Sequence, residues 1–247
     1  MPSVNESVSF QTFRSEVQYL NQHLQAIDAS LTNTCKYLAK YKPKTDLIPK
    51  ALKLPDGKHD TLNHPVSEYL RIYNYTRSKN AEFSIIELYN AFSVYMRNIL
   101  AEMYAHNPLQ IVGKCKGGQS FTFIDIVKFS TMDKIQDEMI NKVFRSLEDE
   151  RSTVKLLDRI LSHTDIQLNV DQKKKALMYL QMRHLFIHNN GNADALFVSE
   201  YETQITIRAN GKLPTNFDTV NNAIQAVYSL IETIDKELIA RSIVHGR

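Results

Sequence analysis

Residues 181–194 read QMRHLFIHNNGNAD, and three side chains in this stretch could do chemistry together: Arg183, His184 and His188. A histidine titrates near neutrality and can take or give a proton. An arginine presents a bidentate fork to phosphate oxygens and can stabilise charge that builds on them. Side chains of these types could together move a proton and hold an anionic group.

Their spacing sets a condition. Five helical steps turn about 500°, which leaves Arg183 and His188 about 140° apart on an ideal helix. They would not converge within one chain without fraying or a bend, but could do so where two copies of the helix meet across a two-fold axis. A plainer reading exists, because a cation in the last turn of a helix is stabilised by the macrodipole alone.

The elements that must hold these residues are helical. Low Gly and Pro content, seven of each, with 43% hydrophobic and 23% charged residues, fits an ordinary globular chain rich in helix. Phe10, Phe13, Val17, Leu20, Leu24, Ile27 and Leu31 alternate steps of three and four, predicting a long amino-terminal helix that runs on through Cys35 and Leu38 to near Pro43. Residues 42–65 carry four prolines and predict an irregular connection, either a functional loop or a mobile linker.

A second long helix is expected over residues 83–106, with Ile86, Tyr89, Phe92, Met96, Ile99, Leu100 and Met103 on one apolar face. Helices are also expected near 131–147 and 150–162. The helix DQKKKALMYLQMRHLFIH should start near Asp171, pack Leu177, Leu180, Leu185 and Ile187, and stop at Gly191. Alternation and a Gly turn in ALFVSEYETQITIRANGKL suggest a small β-hairpin, and a helix over about 217–242 closes the chain. The expectation is an all-α antiparallel helical bundle with a long N-terminal helix and a small β-hairpin before the last helix. It divides into residues 1–65, helix plus Pro-rich connection, and a helical domain over 66–247.

The remaining signals narrow the function. A net charge of +3 permits a polyanionic partner without announcing one. Cys35 and Cys115 lie far apart and fit reduced thiols, and no apolar run is long enough to span a membrane. A cytoplasmic protein without a membrane partner is expected. His184 and His188 have the i,i+4 spacing of a metal pair, but the residues between them are Leu-Phe-Ile and no third ligand is evident, so no metal or cofactor is expected. GKCKGGQS lacks the Gly-Lys-Ser/Thr ending of a phosphate loop, and no GxSxG or dinucleotide fingerprint is present.

An Arg, a polar residue, three apolar residues, a His and then NNG, in the penultimate helix of an all-α chain, resembles the signature of the HEPN superfamily. That motif is Arg, four to six residues, then His, often with Asn, Asp or His directly after the Arg. Here the positions are Arg183, His184 and His188. SIIELYNAFSVYMRNIL is similar to the family's earlier core helix, HNNGNAD to its continuation past the His, and residues 126–161 to its middle; the resemblance covers roughly 66–243.

The resemblance implies a metal-independent endoribonuclease of toxin–antitoxin or phage-defence type, acting as a homodimer, with Arg183 and His188 as the catalytic pair. His184, Asn189 and Asn190 would support or orient the phosphate, although helix capping explains the asparagines equally well. Lys173, Lys174 and Lys175 are candidate RNA contacts two to three turns upstream, or a solvated helix face. An antitoxin or regulatory protein is the further partner implied. The alternative is a non-catalytic HEPN-like binding or regulatory module, which would have no chemical reason to keep the Arg/His pair.

Overall fold

The computed structural model describes residues 5–106, 127–129, 131–135, 137–138, 157–158, 161 and 164–246. The GKCKGGQS loop with Cys115 lies outside the described residues, as do most of FTFIDIVKF and of the two helices expected over 131–147 and 150–162.

Among the described residues the architecture is all-α. Six α-helices lie wholly among the described residues: α1 (Val8–Lys40), α2 (Ile48–Ala51), α3 (Tyr69–His106), α4 (Val170–His188), α5 (Ala195–Tyr201) and α6 (Phe217–Ala240). The four long ones make the framework. Ser9 near the start of α1 bonds Glu102 near the end of α3, its N–H at 2.7 Å. Gln172 at the start of α4 reaches Ser229 and Thr233 late in α6. These pairs set α1 and α4 running against α3 and α6.

The helix periods explain the packing. In α6, Val220, Ile224, Val227, Leu230, Ile231, Ile234 and Leu238 recur at helical spacing and all are buried. They meet Phe10, Phe13, Val17, Leu20 and Leu24 of α1, Phe92, Met96, Ile99, Leu100 and Met103 of α3, and Leu177, Leu180 and Leu185 of α4 in one hydrophobic cluster. The seam of α1 therefore belongs to the same core as the helices of residues 66–247. Met178 and Met182 are also fully buried, where a flexible thioether fills irregular gaps.

One buried polar cluster ties the chain's two ends into this core. Ser7 caps α1 by accepting from Phe10 N at 3.0 Å, while its own N–H donates to Asp235 Oδ2 at 3.1 Å and its hydroxyl donates to Asp235 Oδ1. Tyr95 adds a longer donation to the same carboxylate, at 3.4 Å. Burial pushes the Asp235 carboxyl up from its ordinary range despite these donors, and pushes the Tyr95 phenol well above its own.

The connection over 42–65 is irregular for most of its length, as its prolines predict, yet it packs: α2 and 3-10 turns at Asp60–Leu62 and Val66–Glu68 surround a second small core of Leu38, Ile48, Ala51 and Val66. One expectation needs correction. The hairpin expected over 195–213 is replaced by α5 and a turn. Asp194 accepts from Phe197 N at 2.8 Å, an N-cap, and the rings of Phe197 and Tyr201, one helical turn apart, pack at a tilt with centroids 5.0 Å apart on the buried side. The Gly turn does form, with Gly211 N donating to Arg208 O and Arg208 N to Lys212 O, but its only β pairing is a single bridge between Asn192 and Lys212.

Among the described residues no helix is long and apolar enough to cross a membrane.

Candidate functional site

Helix α4 delivers the Arg/His motif to one end of the bundle. It starts at Asn169, whose side chain accepts from Gln172 N at 3.0 Å, two residues before the Asp171 start expected from sequence. Its buried side docks on α3 and α6 through Leu177, Leu180, Leu185 and Phe186. Ile187, expected in the core, is instead 43% exposed, because it falls between Arg183 and His184 around the helix.

The end of α4 is tightly specified. Asn189 N and Gly191 N both donate to Leu185 O at 2.9 Å, so one carbonyl near the helix end is closed by two donors. Asn190 at φ 50° and Gly191 at φ 73° turn the chain through the left-handed region. Gly191 is buried, and a Cβ there would stand 3.2 Å from Phe186 Cδ1. Asn189 and Asn192 exchange side-chain-to-carbonyl bonds, Nδ2 of each reaching the other's backbone oxygen at 2.8 and 2.9 Å. Asn189 thus serves the cap, and Asn190 is exposed at a strained turn position.

Arg183 and His188 point in different directions, as the 140° offset requires. The Arg183 guanidinium lies over the Tyr89 ring of α3, 5.0 Å from its centroid, and its Nε is buried without a hydrogen-bond partner. Tyr89, expected as a plain core residue, is half-buried and forms this platform, itself backed by Phe92 at 6.3 Å. His184 and His188 are both exposed, and their rings sit 4.7 Å apart on the next face of the helix. Among the described residues no group of three or more His, Cys, Asp or Glu comes together.

The upstream lysines divide. Lys173 is ion-paired with Asp158, Lys174 lies over the Tyr201 ring at 6.0 Å, and Lys175 is exposed without a partner among the described residues. Eight to ten residues at 1.5 Å each put them about 12–15 Å along the axis from Arg183.

Chemically, this end of α4 offers one half-buried, oriented cation and two solvent-facing imidazoles. In-line attack on a phosphodiester needs a base beside the 2′-oxygen and an acid beside the 5′-oxygen, on opposite sides of phosphorus. Two rings stacked on one helix face cannot straddle that phosphorus. Comparison with protein-family models, with curated proteins and with solved structures returns no match.

Proposed function

We propose that this chain is a metal-independent endoribonuclease of the HEPN type, of toxin or phage-defence setting, whose active site forms between two copies of α4. The observation that carries the reading is the Arg183 side chain, held over Tyr89 with a buried, unpartnered Nε and followed directly by an exposed histidine pair. A buried guanidinium N–H without an acceptor is costly to a fold, by about 1–3 kcal/mol, and a phosphate oxygen is a fitting acceptor. Exposed Ile187 lies between Arg183 and His184 around the helix and gives a second copy an apolar seat beside them.

In this reading one His188 removes the 2′-OH proton as the oxygen attacks phosphorus. The partner's imidazolium gives a proton to the departing 5′-oxygen, leaving a 2′,3′-cyclic phosphate and a 5′-hydroxyl. The two Arg183 side chains stabilise the charge on the non-bridging oxygens. His184 buttresses His188 through the ring contact. An antitoxin or regulatory protein is the proposed restraint on such an activity.

A second reading has its own support. The Arg183–Tyr89 contact also stabilises the packing of α4 on α3, so a non-catalytic binding module would retain Arg183 for structure. Cleavage of labelled RNA in EDTA by wild type, Arg183→Ala and His188→Ala, each checked for unchanged mass in solution, separates the two. The nuclease reading expects cleavage by wild type alone, with losses of at least about 100-fold in each variant. Absence of cleavage across varied RNAs, or equal cleavage by all three, rejects it in favour of the module.

A further inference from the structure

A second arginine-bearing concavity lies where α1, α3 and the segment leading into α6 meet. It is a cleft of about 560 Å³, within the roughly 300–1,000 Å³ usual for small-molecule sites. Its apolar lining comes from Leu24, Ile27 and Leu31 of α1 and from Phe217 of α6. This explains why Ile27 and Leu31 continue the seam of α1 yet stay only half-buried.

Arg77 of α3 and Arg208 of the loop stand on its walls, each held by a neutral hydroxyl. Arg77 Nη2 donates to Thr32 Oγ1 at 3.0 Å, and Arg208 Nη2 reaches Thr215 Oγ1 at 3.4 Å. Thr215 is fixed in turn by Ser78 at 2.7 Å. The Asp28 carboxylate is 4.0 Å from Arg77 Nε, too far for a hydrogen bond, and that Nε is buried without a partner. A guanidinium has five donors in a planar fork, and one threonine hydroxyl leaves most of them free.

Asp28 and Asp218 also line the cleft, so its two arginines and two aspartates sum to no net charge. Such a site does not concentrate bare anions. It suits a ligand that carries an anion at one end, hydroxyl donors in the middle and a flat apolar ring. We infer that this cleft binds a nucleoside phosphate, with the phosphate on Arg77 and Arg208, ribose hydroxyls on Asp28, and the base against Phe217 and the α1 leucines. The nucleoside phosphate is either free or the terminal nucleotide of an RNA; the recognising chemistry is the same. This inference does not depend on the nuclease reading.

Calorimetric titration of the full chain tests it with AMP, UMP, adenosine and inorganic phosphate. Expected are dissociation constants below about 1 mM for the nucleotides, with adenosine and phosphate each at least about tenfold weaker. Arg208→Gln, on an exposed loop, and Arg77→Gln should each weaken AMP about tenfold or more with melting temperature preserved, while Lys58→Ala should not. Should Arg77→Gln fail to fold, Arg208→Gln alone decides. No nucleotide binding up to about 5 mM, unchanged affinity in Arg208→Gln, or phosphate binding as tightly as AMP would overturn the inference. Competition with a 5′-phosphorylated RNA pentamer distinguishes the sources: displacement of AMP assigns the site to RNA ends, its absence to free nucleotides.

Discussion

The Tyr89 ring on α3 carries the Arg183 guanidinium at 5.0 Å, and this contact aims the arginine away from the imidazoles of its own helix. In the proposed nuclease, Tyr89 is a positioning residue. Tyr89→Leu should lower cleavage about five- to tenfold, as loss of roughly 1 kcal/mol of cation–π orientation implies, and Tyr89→Phe should restore it. Rate assays beside thermal melts decide, since a purely structural role would move the melting temperature and the rate together.

Gly191 closes α4 in a conformation that a Cβ opposes twice, through φ 73° and the nearby Phe186 ring. Gly191→Ala should destabilise the chain by about 1–2 kcal/mol, whereas Asn190→Gly, at φ 50°, should be neutral or slightly stabilising. Chemical denaturation of both variants measures the pair of effects.

Asp235 makes a pH-dependent contribution. Its carboxyl pKa is raised by burial above the ordinary 3.8, so the fold retains a proton that the unfolded chain releases at lower pH. The stability this provides is fullest below 3.8 and is lost as pH rises through the raised value. Asp235→Asn removes the titration while keeping an acceptor for Ser7, so its melting temperature should improve relative to wild type as pH climbs from about 4 toward neutrality. Asp235→Leu leaves the Ser7 N–H unpaired and should cost about 1–3 kcal/mol at every pH.

If RNA runs along α4, the lysine without a partner among the described residues should register. Lys175→Ala should reduce the slope of log K against log salt by about one, while Lys173→Ala, already paired with Asp158, should change it little. Filter binding of RNA across a salt series reads both slopes.

The parts of this fold that are legible in sequence are those fixed by one period. Every apolar position expected on the inner side of α6 is buried, and so are the first five of α1's seam. The departures come where a local bond or a cavity outweighs the period. ALFVSEY is helical because Asp194 caps it and Phe197 meets Tyr201 one turn on; a run of four apolar residues after an aspartate was the available signal. Ile187 is exposed although apolar, and Tyr89 carries a cation although it falls on the inner stripe of α3. The angular offset of Arg183 and His188 was readable from helix geometry alone. The cleft was not, because Arg77 and Arg208 are 131 positions apart and no motif links them.

Helix α1 is fully buried along its first half and again near its end: after Leu24 its next fully buried side chain is Leu38, about 21 Å further along, with only half-buried residues such as Ile27 and Leu31 between. The first stretch belongs to the main core and the far end to the small one around Ile48 and Val66. Two cores joined by a span without a fully buried side chain need not melt as one. The far lobe has only four fully buried side chains to hold it, so its amides should exchange with deuterium through a partial opening that leaves α4 and α6 protected.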